Sequence, residues 1–373
     1  MKKNLLKNDG VQSLIASLIC ILVGLLIGYI VLLIINPSGA WEAIVEIVRN
    51  FFHFSRPALQ WKNLGNTLVK ATPLLMCSLS VIFGYKAGLF NIGVAGQYVA
   101  GGCAGLYAAL VLGWGWLPCL LLALAVAAVV GALSGVLKAY CNVNEVISGI
   151  MLNWITLYMA NMLLSPVQDA STPYTVHLSS GAPQALLPKL PVGDLFTGNK
   201  YVTIAIPIAV ILAIVVQVIF RRTRLGYELR ATGLNKDAAK YSGMGEKKNL
   251  ILTMAISGAL AGLGGAMFYL TDFEQWLCTA STLPGMGFNG IAAAFLGGLD
   301  PIGAIFSSYF IQHITSGGAY VDKTLYCTQI SDMISSIVIY LCSFVMFIKY
   351  VINKSIAKRE QKLAAASAKG GEA

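Results

Sequence analysis

Long runs of apolar residues recur along the chain and are separated by short polar segments. About 20 apolar residues in a helix cross the ~30 Å hydrocarbon core of a bilayer. Charged residues make up only 11% of the sequence, against about a quarter in soluble proteins. The sequence therefore predicts an all-α, polytopic membrane protein with about ten transmembrane helices. These helices are expected at about residues 11–35, 64–84, 90–112, 116–137, 146–164, 201–220, 249–270, a broken pair at 287–299 and 301–317, and 329–351.

The same pattern divides the chain into four parts. Residues 1–36 are expected to form an uncleaved N-terminal transmembrane helix, because the apolar run is too long for a signal-peptide core. Residues 37–63 form an external segment, in which positions 41–54 carry apolar side chains at helical spacing, as in an amphipathic surface helix. Residues 64–351 form the transmembrane core, and residues 352–373 form a cytoplasmic, disordered tail.

The basic residues indicate the orientation in the membrane. Eight of them lie in residues 221–248, and the positive-inside rule places Lys and Arg in cytoplasmic loops. A cytoplasmic N-terminus followed by six spans puts this segment in the cytoplasm, and four more spans return the basic tail there. Arg49, Arg56 and Lys62 are the main discordant charges. The net charge of +10 therefore follows from topology and does not indicate binding to nucleic acid.

The eight cysteines give no metal or redox signature, because no Cys-x-x-Cys is present and most lie inside apolar runs. A buried cysteine behaves as a small hydrophobic residue. Cys278 and Cys327 are expected in external loops, and a disulfide between them is left open.

Two glycine-rich segments interrupt the apolar pattern. One reads Gly-Leu-Phe-Asn-Ile-Gly-Val-Ala-Gly-Gln at residues 88–97, and the other reads Gly-Met-Gly-Phe-Asn-Gly-Ile at residues 285–291. Each is expected on the second helix of a four-helix set, about 64–164 or 249–351, and the two sets run in opposite senses. Inverted repeats with interrupted helices at corresponding positions are typical of transporters, where they line a substrate path near the membrane midplane.

The polar and aromatic residues of these segments are candidates for that path. Broken helices expose backbone amides that must face protein or a watery cavity. Asn and Gln side chains offer donors and acceptors to an uncharged polar solute. The alternative is that the glycines serve only close helix packing. The candidate path residues are Phe90, Asn91, Gln97, Asn153, Phe288 and Asn289.

The sequence contains no evident energy source for transport. No Gly-x-x-x-x-Gly-Lys-[Ser/Thr] phosphate-binding loop is present, and no convincing ion-coupling carboxylate is expected in the middle of the membrane. Residues 237–243 read Asp-Ala-Ala-Lys-Tyr-Ser-Gly. This resembles the Glu-Ala-Ala-x-x-x-Gly motif of ATP-binding-cassette (ABC) importer permeases, with Asp in place of Glu. In those permeases the motif forms a short cytoplasmic helix that docks into a groove of the ATPase.

Other segments extend the resemblance over about residues 60–350. They are similar to the permeases of simple-sugar and nucleoside importers, which are akin to the ribose and branched-chain amino acid permeases. Phe-Asn-Ile-Gly-x-x-Gly-Gln resembles the nucleoside branch, although Ala95 stands where that branch commonly has Glu. The similar segments are residues 88–97, 144–154, 222–235 and 297–304.

The resemblance implies a multi-part importer in a bacterial cell membrane, with both termini of this chain in the cytoplasm. A homologous second permease, an ABC ATPase and an extracellular substrate-binding lipoprotein would be its partners. ATP and Mg would bind to the ATPase, and this chain would bind no cofactor and act as a transport subunit, not as an enzyme. The residues that would couple it to the ATPase are Glu228, Arg230, Asp237, Ala238, Ala239 and Gly243.

Three other functions are weighed against a nucleoside permease. A monosaccharide permease of the ribose or galactose type is a close alternative, because it shares the same family features. A stand-alone, ion-coupled secondary transporter belongs to a different class and would need no ATPase. An intramembrane enzyme is disfavoured, because the sequence shows neither a nucleophile–base pair nor a metal-ligand pattern.

Overall fold

The computed structural model describes residues 9–326 and then 333–334, 336–337, 340–341, 344–345, 347–351 and 353–355. In the described part, strand-like pairing is limited to three isolated bridges in the loops, so the predicted all-α class is confirmed. The helices are α1 (Asp9–Ile35), α2 (Ala40–Arg49), α3 (Pro57–Lys86), α4 (Val94–Leu110), α5 (Trp116–Cys141), α6 (Glu145–Leu164), α7 (Leu178–Gly181), α8 (Ala205–Arg222), α9 (Arg224–Leu234), α10 (Lys236–Tyr241), α11 (Glu246–Tyr269), α12 (Gly285–Leu296) and α13 (Pro301–Gly317).

Six of these helices are long and apolar enough to cross a membrane, namely α1, α3, α5, α6, α8 and α11. The shorter helix α12, with 12 residues, is also apolar, and α4 and α13 have 17 residues each. The chain is therefore a polytopic membrane protein. The tenth predicted span, at 329–351, falls partly outside the described residues, so the count of ten stays a prediction.

The centre of the bundle is formed by α3 and α11. In their most apolar stretches, 89% and 72% of the residues are buried. In the other four long helices the corresponding share is only 22–33%. The packing is reciprocal, because α11 packs against α4 and α5, and α3 packs against α12 and α13. In the predicted repeats, α3 and α11 are the two first helices. The first helix of each repeat therefore packs against the second and third helices of the other repeat. The bounds of the repeats stay a prediction.

The first predicted break lies between α3 and α4. Residues 87–93 are not helical, and Gly88 has φ +76°, a left-handed conformation that favours glycine. The predicted helix at 90–112 therefore begins four residues later than expected, at Val94.

The second glycine-rich segment, residues 285–291, is helical, which corrects the prediction of an interruption there. Phe288 and Asn289 lie inside α12, which continues to Leu296. The glycines of this stretch allow close packing: a Cβ on Gly287 would lie 2.5 Å from the Cα of Ala95. The break predicted between the spans 287–299 and 301–317 is present at residues 297–300, where Gly298 and Leu299 have positive φ values of 66° and 57°.

Residues 41–54, predicted as an amphipathic helix on the outer surface, lie in α2 and a short 3-10 helix at Asn50–His53. Its inner face is buried in a cluster with α1 and α13 that includes Ala43, Ile44 and Ile47. Trp41 and Val48 lie on the exposed side. The helix is therefore held by protein contacts as well as by any contact with lipid.

Cys278 is buried, and its thiol donates a hydrogen bond to the Leu164 carbonyl at 3.6 Å. Cys327 lies outside the described residues, and the disulfide between the two residues is still open.

Candidate functional site

The candidate site begins where the chain turns from α3 into α4. The Leu89 N–H donates to the Gly84 carbonyl at 3.0 Å, so the chain folds back alongside α3. It reaches the level of Ser80, which lies six residues, or about 9 Å, before the end of α3. Non-helical backbone at such depth requires partners within the protein, because lipid provides none.

Four side chains around this segment form what we call the amide cluster: Asn91, Gln97, Ser80 and Ser257. The Asn91 Nδ2, which has two hydrogens to donate, lies within hydrogen-bond distance of three acceptors: Gln97 Oε1 at 2.7 Å, Ser257 Oγ at 2.8 Å and Ser80 Oγ at 3.1 Å. The Gln97 Nε2 returns a hydrogen bond to Asn91 Oδ1 at 3.2 Å. All four side chains are buried. The cluster joins α3, α4 and α11 through uncharged hydrogen bonds.

Asn153 of α6 forms hydrogen bonds with the backbone at the start of α4. Its Oδ1 accepts from the Gly96 N–H at 2.7 Å, and its Nδ2 donates to the Ile92 carbonyl at 3.1 Å. The first N–H groups of any helix lack partners inside it, so Asn153 acts as a cap supplied by another helix. The backbones are in contact here, because a Cβ on Gly96 would lie 2.6 Å from the Asn153 Cα.

The predicted path residues therefore fall into two sets. Asn91, Gln97 and Asn153 come together as expected, but they are buried and bonded to other protein groups. Phe288 is exposed, whereas Phe90 and Asn289 are partly buried. The role of the six residues in a substrate path stays a prediction.

The exposed face of α6 differs chemically from other exposed faces. The exposed large apolar side chains described in α1 and α8 are Leu, Ile or Val, whereas α6 also presents Met151, Trp154, Tyr158 and Met162. The Trp154 and Tyr158 rings are stacked, with centroids 6.2 Å apart. A Tyr hydroxyl usually finds a polar partner when it leaves water. The middle of α6 is thus suited to a partly polar neighbour.

The predicted coupling segment forms α9 and α10 at one end of the bundle, which we call the basic end and define by Arg221, Arg222, Arg224, Arg230 and Lys236. Side chains cap both helices at their starts. The Thr223 Oγ1 accepts from the Gly226 N–H at 3.1 Å, and the Asn235 Oδ1 accepts from the Ala238 N–H at 3.0 Å.

Gly243 ends α10, as its position in the motif predicts. Its φ is +78°, its N–H donates to the Lys240 carbonyl, and the Met244 N–H donates to the Ala239 carbonyl, both at 3.0 Å. These two bonds form a Schellman motif. Asp237 lies in the first turn, where its negative charge interacts favourably with the positive end of the helix dipole. The six-residue α10 thus has a defined start and a defined end.

The two motif alanines have different environments. Ala239 is buried, whereas Ala238 is exposed together with Asp237. Two large apolar side chains near the ends of α10 are exposed: Leu234, two residues before the helix, is 89% exposed, and Tyr241, its last residue, is 93% exposed. They lie next to charged residues and not in a long apolar helix. Apolar side chains exposed in this way are typical of a surface that another protein covers.

The other two predicted coupling residues are engaged within α9. Glu228 accepts a hydrogen bond from Arg224 Nε at 2.7 Å, and the Arg230 Nε donates to the Gly226 carbonyl at 3.3 Å. Both contacts are local to one helix, so they stabilise α9 and leave the surface of α10 free for other contacts.

Asp300 links the basic end to α13. Its Oδ1 caps α13 by accepting from the backbone N–H groups of Ile302 and Gly303, while its Oδ2 accepts from Gln217 at 3.0 Å and lies 3.4 Å from an Arg221 nitrogen. Burial raises the pKa of this carboxyl, but the hydrogen bonds outweigh burial and hold the pKa below its ordinary value. The carboxylate is therefore the preferred form.

Several residues of the site give no signal in the sequence alone. Ser80 and Ser257 are serines within apolar runs, and Thr232 and Asn249 are 17 residues apart but share a buried hydrogen bond. Small polar residues in membrane helices are common at packing interfaces, so only the fold identifies their partners.

The bundle of apolar helices surrounds interrupted segments and carries a capped, exposed helix at its basic end. These features are typical of membrane transport subunits. Residues 63–343 match the family described as branched-chain amino acid transport system / permease component. The chain belongs to this family. It is therefore an ABC transporter permease, a transport subunit and not an enzyme.

Three relatives of named function match most of this chain. The nucleoside ABC transporter permease protein NupB of Lactococcus lactis subsp. cremoris is 30% identical over 83% of this chain and 86% of its own length. The guanosine ABC transporter permease protein NupP of Bacillus subtilis is 31% identical over 84% and 92%. The glucose ABC transporter permease protein TsgB13 of Haloferax volcanii is 29% identical over 83% of each chain. No solved structure matches the chain.

Proposed function

We propose that this chain is the permease of an ABC importer that takes up nucleosides by ATP-driven alternating access. The observation that carries the ATP-driven part is α10, a helix capped at both ends that lies at the basic end, with the exposed side chain of Leu234 just before it and that of Tyr241 at its last position. The names of NupB and NupP support a nucleoside as the cargo.

In this proposal the basic end faces the cytoplasm, as the positive-inside rule favours. The ABC ATPase docks on α10 and binds ATP and Mg, while this chain binds no cofactor. A homologous second permease completes the membrane unit. An extracellular binding lipoprotein delivers the cargo at the opposite end, where α2 and the loops around α7 lie. The membrane is then a bacterial cell membrane, with both termini of the chain in the cytoplasm.

The cargo path is proposed to run along α6, where the second permease would complete it. Trp154 and Tyr158 offer faces on which a nucleobase can stack, since aromatic stacking accepts any base. The amide cluster and Asn153 would hold the break at the start of α4, because their hydrogen bonds are already satisfied. Phe288 and Asn289, which are more accessible, remain candidates for direct contact with the cargo.

The test is uptake of radiolabelled guanosine by cells that express the full transporter. Replacement of residues 237–243 with a Gly-Ser segment should abolish uptake and leave binding of guanosine to the external receptor unchanged. The matched control is a Gly-Ser replacement of residues 365–371, an equal length of the predicted cytoplasmic tail. Uptake that survives the first replacement would show that α10 is not the coupling helix.

A sugar is the second candidate cargo, favoured by the similarity to the glucose permease TsgB13. A competition assay separates the two. Unlabelled nucleosides should block guanosine uptake at concentrations near the transport KM, whereas a large excess of glucose or ribose should not. Uptake of labelled glucose, unaffected by nucleosides, would support the sugar permease instead.

A further inference from the structure

The backbone of α9 touches the turn between α3 and α4 directly. A Cβ on Gly233 would lie 2.5 Å from the carbonyl carbon of Ala87, and a Cβ on Gly88 would lie 2.7 Å from the Cα of Gly233. Real Cβ atoms do not approach backbone so closely. The contact therefore requires glycine on both sides, and it lies three residues before Asn91 of the amide cluster.

A buried hydrogen bond fixes α9 to α11 next to this contact. The Asn249 Nδ2 donates to the Thr232 Oγ1 at 2.9 Å, and both side chains are buried. Asn249 lies eight residues, or about 12 Å, before Ser257 on the same helix. Ser257 in turn accepts a hydrogen bond from Asn91 at 2.8 Å. Two routes therefore connect α9 with the amide cluster, one through the turn and one along α11.

We propose that the contact between Gly88 and Gly233, kept in register by the Thr232–Asn249 hydrogen bond, transmits displacement of α10 to the amide cluster. Packed backbone cannot absorb a displacement by rotating side chains, so the turn has to follow α9. The uncharged hydrogen bonds of the cluster can exchange partners as the turn moves. Gly88, Gly233, Thr232 and Asn249 are thus positioning residues for coupling. The inference rests on the proposed function only in taking α10 as the helix that the ATPase moves.

Hydrogen–deuterium exchange of the complete transporter tests this route. Exchange is compared without nucleotide and after trapping with ATP and vanadate. In the wild type, exchange should change both in residues 236–243, where the ATPase docks, and in residues 84–97. In Gly233→Ala the response at 236–243 should persist. The response at 84–97 should fall at least about fivefold, the lower end of ordinary coupling factors.

Gly245→Ala is the matched control, because a Cβ there would meet nothing closer than the Lys248 Cβ at 3.5 Å. It should respond as the wild type does. If Gly233→Ala fails to assemble, Thr232→Val tests the same route by removing the acceptor of the Asn249 bond. Its control is Thr253→Val, because among the described residues the buried Thr253 hydroxyl bonds only to the Asn249 backbone carbonyl of its own helix.

The route is overturned if the response at residues 84–97 persists in whichever of the two test variants assembles, or is absent in the wild type. Exchange requires no cargo. A transporter that responds to ATP at both segments, yet takes up no nucleoside, would therefore refute the proposed substrate while supporting this route.

Discussion

Replacement of Asn153 by alanine should destabilise the protein more than any change on the exposed face of the same helix. The side chain is 2% exposed and bonds the Gly96 N–H and the Ile92 carbonyl. Asn153→Ala removes both partners at once. Because α4 and α6 are in backbone contact at Gly96, the site has little room for a replacement water.

The expected magnitude follows from these two orphaned groups. A buried polar group left without a partner costs about 1–3 kcal/mol, which gives about 2–6 kcal/mol for two. Hydrogen bonds between membrane helices measure about 0.6 kcal/mol on average, because the unfolded chain in the membrane also finds partners. We therefore expect the free energy of unfolding to fall by about 2–3 kcal/mol, near the lower end of the range.

The assay is unfolding of the purified protein in mixed micelles with increasing SDS, followed by tryptophan fluorescence. Met151→Ala is the matched control on α6, because Met151 is 63% exposed and surface changes usually alter stability by no more than about 0.5 kcal/mol. If Asn153→Ala unfolds within about 0.5 kcal/mol of the wild type, the proposed capping of α4 by Asn153 is wrong.

Three further predictions concern other parts of the site. Ser257→Ala removes an acceptor of Asn91 and should lower the free energy of unfolding by about 1 kcal/mol, measured in the same SDS titration. Asp300 has a lowered pKa, so its contribution to stability should be complete above its unfolded pKa of about 3.9 and should be lost as pH falls through the folded pKa. Unfolding measured from pH 6 to pH 3 should show this loss of stability. The Asp300→Asn variant should not show it. Tyr241→Ala should weaken binding of the ATPase at least about tenfold, as expected for an aromatic anchor, in a pull-down from detergent, whereas Tyr227→Ala should not.

The positions of the long helices could be predicted from the sequence. About 20 apolar residues give a signal that needs no knowledge of tertiary contacts, and α3, α5, α6, α8 and α11 all lie where apolar runs indicate. The capped α10 could be predicted as well, because Asp237 and Gly243 act through the local backbone. Both features depend on residues that are close together in the sequence, so the sequence is enough to predict them.

The two breaks could be predicted only in part, since glycine has two uses that look alike in sequence. Gly88 has a left-handed backbone and lies in a real turn. Gly287 lies within α12 and lets Ala95 approach. Which use applies depends on the neighbouring helix, and the sequence of one segment does not contain that information.

The amide cluster shows the same limit for polar residues. Asn91 and Gln97 stand out in the sequence because amides are rare in apolar runs, but Ser80 and Ser257 do not. The contact between these two serines joins residues 177 apart. Single-segment patterns carry no signal at that separation, so the sequence indicated the amides and missed the hydroxyls that bind them.

The central claim is that a separate ATPase drives this permease, and reconstitution tests it most directly. The two permeases, the ATPase and the receptor are placed in liposomes, and uptake of labelled guanosine is measured with ATP, with a non-hydrolysable analogue, and with a sodium or proton gradient instead. The account predicts uptake only with ATP and the complete transporter. Uptake by this chain alone under an ion gradient would contradict it.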